Sequence, residues 1–286
     1  MKYAQLRPGR AFRPLRATLY YLQRIVTPIW LRRVVISVVS AIVRLRQGNG
    51  ESDVPGVSGA EMTMLADRLE RDGLVELGTL LDADQCRAIH AYLANKLLDD
   101  RDCRRPGFIL SEAPANVRLA DYSLNDVAGC PHILALANHP ALLAMAQRYI
   151  GCKPTLSGMG IRWSFARTGE ASSLQRFHRD SEDWRYFKVL VYLTDVDLAA
   201  GPHVYVRGSQ QVRGAVRLRF FSDEEVRRRF GESNVVTVTG RAGFCFAVAT
   251  AGVHRGTEPT AGKRLMLQLQ YSLLPCFAYD LSLIHI

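Results

Sequence analysis

The pattern of apolar and polar positions changes near residue 155 of the chain. Before that point, apolar residues recur mostly at helical spacing, and beyond it they follow the two-residue period of β-strands. This period predicts seven strands, which are Leu156–Phe165, Leu174–His178, Tyr186–Val196, Val204–Val206, Val235–Val238, Phe244–Thr250 and Arg264–Leu273. Glycine and proline separate them. Many short strands at such spacing are typical of a sandwich or jelly-roll barrel.

The region before the strands predicts mainly helices. Three are expected, over Ala60–Arg71, from Asp82 or Asp84 to about Leu98, and over Pro140–Ile150. Leu74–Leu77 predicts a short strand, and residues 99–130 predict loops with one short strand. A capping box that starts at Ser222 opens a further helix to about Phe230. This helix interrupts the strands, so it either covers a site at the rim or fills a gap.

The net charge of +10 is concentrated at one end of the chain. Residues 1–50 hold ten basic residues and no acidic residue, whereas the remaining residues hold equal numbers of basic and acidic side chains. Apolar content of 48% and charged content of 22% are ordinary for a folded protein with a sizeable core. The composition predicts a neutral β-rich body with a basic arm at its N-terminus.

Residues 1–47 form this basic arm, and Leu31–Leu45 predicts a basic amphipathic helix. Such a helix could lie on an anionic membrane surface, or it could pack on the body with its arginines in solvent. Its apolar residues are not confined to one face, which weakens the membrane interpretation. The apolar run Val34–Val43 is too short to span a bilayer. No regular alternation of aromatic and basic residues accompanies the arginines, so nucleic acid is not an expected partner.

The remaining boundaries follow from composition. Residues 48–58 predict a linker, residues 59–280 predict the folded domain, and residues 281–286 predict a non-native tail because they resemble a translated sequencing adaptor. For that reason His285 is excluded as a site residue, and a native C-terminal segment could be missing. The six cysteines form no Cys-x-x-Cys pair, and no secretory signal is evident. The sequence therefore predicts a cytoplasmic protein with free thiols. Association of the arm with a membrane stays open as a further possibility.

The candidate chemistry lies in Phe177-His178-Arg179-Asp180. On a strand or its edge, His178 and Asp180 project to one side and could bind one metal ion. His254, 76 residues later, could complete the face of two histidines and one carboxylate that leaves positions open on Fe(II). A His-x-Asp motif is common by chance, and His178 could equally be a hydrogen-bonded core histidine.

The last predicted strand supports a binding site inside the barrel. Alternation places Arg264, Met266, Gln268 and Gln270 on one face and apolar residues on the other. The guanidinium of Arg264 would then lie near the metal ligands, where it suits a carboxylate, whereas Lys263 points away. The alternative is that Arg264 only forms an ion pair with Glu258. Ser181–Arg185, just after the motif, could contact substrate or form an exposed turn.

Together these residues resemble the phytanoyl-CoA dioxygenase family of Fe(II)- and 2-oxoglutarate-dependent oxygenases over about residues 60–275. The segments that carry the resemblance are Arg71-Asp72-Gly73-Leu74-Val75, Asn138-His139-Pro140-Ala141-Leu142-Leu143, Phe177–Asp180, Val191-Tyr192-Leu193-Thr194-Asp195 and Gly201–Gln210, then His254 and Arg264. The resemblance implies a mainly β fold with flanking helices, built on a double-stranded β-helix, which is a jelly-roll or cupin-like barrel. Two departures are Arg207, where the family commonly has proline, and His203, where it has an apolar residue.

The resemblance also implies roles and a reaction. His178, Asp180 and His254 would hold iron, Arg264 would pair with the distal carboxylate of 2-oxoglutarate, and Tyr192 would lie against this cosubstrate. With O₂, the reaction would yield succinate and CO₂ and hydroxylate a small-molecule or lipid-like substrate. The carboxylate of Asp180 favours hydroxylation over halogenation, since related halogenases have a small residue there.

Two alternatives remain open, a non-catalytic jelly-roll binding module and a membrane-surface protein that acts through its basic arm. Neither a particular substrate nor an oligomeric state is predicted.

Overall fold

The computed structural model describes residues 8–9, 12–48, 58–101, 107–166, 175–212 and 219–275. The interior of the predicted linker, the start of the predicted strand at Leu174 and the predicted tail lie outside these ranges.

Eight helices and ten strands form in the described residues. The helices are α1 (Pro14–Ile25), α2 (Ile29–Gln47), α3 (Gly59–Asp72), α4 (Ala83–Leu93), α5 (Leu124–Gly129), α6 (Ile133–Ala137), α7 (Pro140–Ile150) and α8 (Asp223–Phe230). The strands are β1 (Leu74–Thr79), β2 (Leu98–Asp100), β3 (Leu119–Tyr122), β4 (Thr155–Phe165), β5 (Tyr186–Tyr192), β6 (His203–Val206), β7 (Val235–Val238), β8 (Phe244–Val248), β9 (His254–Gly256) and β10 (Lys263–Ser272).

The strands form two antiparallel sheets. The main sheet has the order β1-β8-β5-β10-β4-β3-β2, and the small sheet has the order β7-β6-β9. Apolar residues of β5 and β8, including Tyr192 and Phe246, pack against Tyr205 of β6 and Val238 of β7, so the small sheet faces the main sheet. This mainly β arrangement with flanking helices confirms the predicted fold class.

The strand β10 shows how the main sheet divides the protein. Leu265, Leu267, Leu269 and Tyr271 lie in the large core that the helices complete, whereas Met266 and Gln268 line a cavity on the opposite face. The predicted alternation along this strand is therefore confirmed. A sheet with one apolar face and one partly polar face can bury its core and still carry a site.

The helix α8 lies behind the small sheet. Its Val226 packs with Phe177, Val206 and Val253, which lie next to the candidate ligands in sequence or in space. Its residue Asp223 accepts two hydrogen bonds from Arg255 of β9, with distances of 2.8 and 3.1 Å. Of the two predicted roles, this helix therefore fills a gap behind the site.

The N-terminal arm forms two helices on the surface of the body. The predicted helix Leu31–Leu45 is the longer α2, and α1 precedes it. Ile36, Val39 and Val43 of α2 pack on the large core, and the hydroxyl of Ser40 donates to the carbonyl of Ile150 at 3.4 Å. Among the helices that the structure describes, none is long and apolar enough to cross a bilayer.

Three local predictions were wrong. The helix α4 ends at Leu93 instead of Leu98, because Leu98 is buried in β2 opposite Tyr122. Residues 99–130 hold most of β2, all of β3 and α5, which is more regular structure than loops with one strand. The predicted strand ending at His178 is reduced, in its described part, to single bridge pairs at Phe177 and His178.

Candidate metal centre

Three side chains converge between the two sheets. His178 and His254 pair across an antiparallel bridge, which places their rings 4.4 Å apart, centroid to centroid. The carboxylate of Asp180 lies 3.7 Å from Nε2 of each histidine, one oxygen toward each. One donor atom from each of the three residues lies within 4.8 Å of the donor atoms of the other two. The predicted set is thus brought together from distant parts of the chain.

Both histidines are oriented for metal binding by the backbone. Nδ1 of His178 lies 2.8 Å from the carbonyl of Arg176, and Nδ1 of His254 lies 3.0 Å from the carbonyl of Gly252. A carbonyl only accepts hydrogen bonds, so each Nδ1 carries the proton and each Nε2 presents its lone pair toward Asp180. Burial lowers the pKa of His254 to about 3, which keeps this ring neutral. Neutral imidazole is the form that binds metals.

Asp180 is ionised despite its burial. Burial raises the pKa of this carboxyl, but the opposing effect, in which the charge of Lys188 is largest and its hydrogen bond contributes, holds the pKa well below its ordinary value. The ammonium of Lys188 donates to Oδ2 of Asp180 at 2.7 Å and lies 3.5 Å from Glu182. Lys188 was not among the predicted site residues. The signal for it was a lysine in the middle of the apolar strand Tyr186–Tyr192.

Arg264 is buried on β10, near the strand β9 that begins with the candidate ligand His254. Its Nη2 donates to the hydroxyl of Ser164 at 3.1 Å, while Nε and Nη1 have no hydrogen-bond partner among the described residues. A β-carbon at Gly256, two residues after His254, would lie 3.1 Å from Nη2, so this glycine leaves room for the guanidinium. A buried cation with unpaired donors suits an anionic ligand that completes its hydrogen bonds.

Glu258 does not pair with Arg264, and Lys263 points away from the candidate ligands. Glu258 forms its ion pair with Arg118, so the predicted alternative of an Arg264–Glu258 pair is wrong. The ammonium of Lys263 lies 5.0 Å from the ring centroid of Trp163, on the far side of β10, as strand alternation predicted.

Tyr192 and His203 form the wall next to Arg264. The hydroxyl of Tyr192 donates to the carbonyl of Val238 at 2.7 Å and accepts from the backbone N–H of His203 at 2.9 Å. Burial raises the pKa of this phenol to about 12. Its hydroxyl already has two backbone partners, and contact with a cosubstrate stays a prediction.

The ring of His203 stacks on His254 with centroids 5.6 Å apart. It is buried, its Nε2 has no partner among the described residues, and burial holds its pKa well below the ordinary value. Sequence reasoning marked His203 only as a departure from a pattern. A histidine inside a predicted strand, at a position where an apolar residue is expected, was the available signal.

A cavity of about 130 Å³ opens in front of the three ligands. Its wall combines cations, a carboxylate and amides with a few apolar side chains, namely Arg101, Leu119, Arg162, Gln175, Glu182, Lys188, Leu190, Met266 and Gln268. Arg162 contacts Asp121 through two hydrogen bonds of 2.5 and 3.1 Å, and Arg101 contacts the same carboxylate at 3.0 Å. The cavity wall is thus mainly polar, with the apolar side chains of Leu119, Leu190 and Met266 among its charged and amide groups.

The turn after Asp180 is held by the N-terminal arm. Nη2 of Arg32 donates to the carbonyls of Asp183 and Trp184 at 3.0 and 3.1 Å, and its Nη1 donates to the carbonyls of Gln23 and Val26. Gln23 also donates to the carboxylate of Asp183 at 3.0 Å. Ser181 and Asp183 are buried. Of the two alternatives left open for Ser181–Arg185, an exposed turn therefore does not describe these two residues.

Asp183 is the second buried carboxyl near the site. It also accepts hydrogen bonds from the backbone N–H groups of Trp184 and Leu274, both at 2.7 Å. Burial raises its pKa to about 7, against the opposing effect of these hydrogen bonds and of Arg32. Its contacts link the arm, the turn and the end of β10, which is a structural role.

His90 has a structural contact as well. Its Nε2 lies 2.6 Å from the carbonyl of Leu193, so this partly buried ring bridges α4 to the end of β5.

Comparison with solved structures supports the architecture. The chain is similar to the non-heme alpha ketoglutarate dependent epimerase SnoN from nogalamycin biosynthesis, with 21% identity, a TM-score of 0.54, and coverage of 75% of this chain and 84% of that one. It is similar to EctD from S. alaskensis with bound Fe, with 17% identity, a TM-score of 0.54, and coverage of 80% and 84%. HygX from Streptomyces hygroscopicus with nickel and 2-oxoglutarate bound gives 19% identity, a TM-score of 0.52, and coverage of 73% and 86%. At these identities the likeness establishes the fold.

No curated protein sequence matches the chain. The sequence model of phytanoyl-CoA dioxygenase (PhyH) matches residues 69–264, which is more than half of the chain and includes His178, Asp180, His254 and Arg264. The chain therefore belongs to the phytanoyl-CoA dioxygenase family of Fe(II)- and 2-oxoglutarate-dependent oxygenases.

Proposed function

We propose that this oxygenase hydroxylates a small, polar molecule, with Fe(II) held by His178, Asp180 and His254 and with 2-oxoglutarate held by Arg264. The observation that carries the proposal is the buried guanidinium of Arg264, which lies near β9, the strand that carries the candidate ligand His254, and whose Nε and Nη1 lack partners among the described residues. A jelly-roll module that only bound a ligand through its surface would not need a buried, incompletely paired cation beside a preformed metal triad.

The donor set fits iron. Two neutral imidazoles and one carboxylate on one face of the ion form the facial triad of non-heme Fe(II) oxygenases and leave open positions for other ligands. The carbonyls of Arg176 and Gly252 fix both rings in the tautomer that presents Nε2. Iron bound there, with 2-oxoglutarate and O₂, supplies the oxidation of a substrate C–H bond.

The residues of this chain then perform binding and orientation. Arg264 pairs with the distal carboxylate of 2-oxoglutarate and completes its own hydrogen bonds in doing so. The β-strands keep the two histidines in register, and Lys188 holds the side chain of Asp180 in place through Oδ2. In the overall reaction, substrate R–H, 2-oxoglutarate and O₂ give R–OH, succinate and CO₂, so atoms and electrons balance.

The residue at position 180 bears on the type of oxidation. A carboxylate ligand occupies the position that halide would take in a halogenase, so Asp180 favours transfer of a hydroxyl group. The cavity bears on the substrate. Arg101, Arg162, Lys188 and Gln268 give its wall cations and an amide, which suits a molecule with polar groups better than a long acyl chain.

The test is turnover with a panel of polar small molecules in the presence of Fe(II), 2-oxoglutarate and ¹⁸O₂. Mass spectrometry follows both succinate and the product, and Arg264→Ala serves as the variant with an impaired cosubstrate site. Substrate-dependent succinate together with one labelled oxygen in the product supports the proposal. Succinate with a product that gains no oxygen would overturn hydroxylation in favour of another oxidation, such as the epimerisation named for SnoN. Absence of succinate under all conditions would support the binding module.

A further inference from the structure

The helix α2 is apolar on two faces, and only one of them packs on the body. Ile36, Val39 and Val43 contact the large core, as described above. On the other face, Trp30, Val34, Val38, Ile42 and Leu45 are exposed, and this set is called the outer stripe. The exposed fractions are 65% for Trp30, 52% for Val34, 54% for Val38 and 87% for Leu45. A helix that served only to cover the core would carry polar residues there.

The spacing makes the outer stripe continuous. Its members follow one another at intervals of four, four, four and three residues, so they lie on one side of the helix. From Trp30 to Leu45 the stripe extends about 22 Å at the helical rise per residue. Contiguous exposed apolar surface of this kind marks a site of interaction with a membrane or a protein.

The charge around the stripe identifies the partner. Arg33, Arg44 and Arg46 of the same helix are exposed, and residues 1–50 contain no acidic side chain. Trp30 stands at the N-terminal end of the stripe, and tryptophan favours the boundary between lipid headgroups and hydrocarbon. A surface helix binds to an anionic bilayer through two features, apolar residues that enter the bilayer boundary and flanking arginines that attract anionic lipid.

We propose that the outer stripe of α2 docks the oxygenase on an anionic lipid bilayer, with the helix parallel to the membrane plane. Trp30, Val34, Val38, Ile42 and Leu45 enter the headgroup boundary, while Arg33 and Arg44 contact lipid phosphates or carboxylates. The opposite face of α2 stays packed on the body, so docking requires no detachment of the arm. This also explains why the apolar residues of the arm are not confined to one face in the sequence.

A second copy of the chain is a weaker candidate for the same surface. In a symmetric dimer the same patch contacts itself, so the arginines of the two arms would be brought together. With ten basic residues and no acidic residue in residues 1–50, nothing in the arm would neutralise them, and like charges at an interface disfavour association. A bilayer of anionic lipid supplies the opposite charge over the whole face.

The test uses the full chain with sedimented vesicles of phosphatidylcholine, either pure or with a third of phosphatidylserine. We expect binding to the anionic vesicles and at least about tenfold weaker binding to the neutral ones. The variant Val34→Asp/Val38→Asp should lose about tenfold or more of the partitioning, because two carboxylates would enter the bilayer boundary. The variant Arg33→Gln/Arg44→Gln should lose a similar factor, and added salt should weaken the parent.

The matched control is Met64→Asp on α3. Met64 is 53% exposed, between Val34 at 52% and Val38 at 54%, but it lies outside the arm. This variant should bind vesicles as the parent does, and thermal unfolding should verify that all variants are folded. Equal binding of the parent and Val34→Asp/Val38→Asp would overturn the proposal. The proposal would also be overturned if the parent did not bind anionic vesicles and instead formed a dimer in solution that Val34→Asp/Val38→Asp dissociates.

Discussion

His178 and His254 exchange both of their backbone hydrogen bonds, although 76 residues separate them in the chain. The N–H of His178 donates to the carbonyl of His254 at 2.9 Å, and the N–H of His254 donates back at 3.0 Å. The N–H of Asp180 continues the contact by donating to the carbonyl of Thr250 at 2.8 Å. Backbone pairing therefore sets the spacing of the three ligands before a metal binds. The centre is preformed, which lowers the free-energy cost of assembling it around the ion.

Replacement of Lys188 by methionine should make the protein more dependent on its metal. The ammonium of Lys188 is the cation closest to Asp180, and its loss leaves a largely buried carboxylate without its ion pair. We expect the metal-free variant to lose about 3 kcal/mol of unfolding free energy. Divalent metal should then raise the melting temperature of Lys188→Met by more than that of the parent, because the metal supplies the missing positive charge.

The control for this experiment is Lys188→Arg, which keeps the charge. Its melting temperature should respond to metal as the parent's does. Equal responses of the methionine variant and the parent would show that Lys188 is not the counter-charge of Asp180 in the metal-free protein.

The variant Tyr192→Phe separates a structural role from a cosubstrate role. Loss of the hydroxyl leaves the carbonyl of Val238 and the N–H of His203 without their partner in a buried wall, which costs about 1–3 kcal/mol. If the hydroxyl has only this structural role, denaturant unfolding will show a lower unfolding free energy, while the KM for 2-oxoglutarate will stay near the parent value. A KM that rises with little change in stability would instead favour direct contact with the cosubstrate.

The variant His203→Leu should stabilise the metal-free protein while weakening 2-oxoglutarate binding. The buried Nε2 of His203 has no partner among the described residues, so replacement by a side chain of similar size removes an unpaired polar group, worth about 1 kcal/mol. His203 lines the cavity in front of the three ligands, where a bound carboxylate could complete the hydrogen bonds of this nitrogen. Chemical denaturation and isothermal titration measure the two effects. A variant that is both less stable and equal in affinity would contradict this account.

Arg32 should support the metal centre through the arm. Its four hydrogen bonds join the end of α1 to the carbonyls of Asp183 and Trp184, three and four residues beyond Asp180. We expect Arg32→Ala to lower the unfolding free energy by about 3 kcal/mol and to weaken Fe(II) binding several-fold. The neighbouring exposed Arg33 provides the control, since Arg33→Ala should leave both quantities unchanged. If Arg32→Ala binds iron as tightly as the parent, the arm does not position the turn after Asp180.

Much of the fold could be predicted from the sequence because its signals are local. Strand alternation placed β10 with Arg264, Met266 and Gln268 inward, and the proline and glycine that bound α7 marked its ends at Pro140 and Ile150. The three candidate ligands were identified from motif order, which the family resemblance strengthened. These signals do not depend on knowing which segments meet in space.

The parts that could not be predicted depend on contacts between distant segments. Lys188 joins the site only because β5 passes beside the turn that holds Asp180. The helix α4 ends early because Leu98 is needed in a sheet whose other strands lie further along the chain. The two apolar faces of α2 could not be assigned before the body was seen to cover one of them.

The most direct test of the metal centre is an anaerobic titration with Fe(II) and 2-oxoglutarate, followed by visible absorption of the chelate. The parent should develop a weak charge-transfer band. His178→Ala should abolish this band, because one imidazole ligand is lost, and Arg264→Ala should require a higher 2-oxoglutarate concentration to reach it. Absence of the band in folded parent protein that has bound Fe(II) would contradict the proposed oxygenase site. A band that persists unchanged in both variants would contradict the roles given to His178 and Arg264.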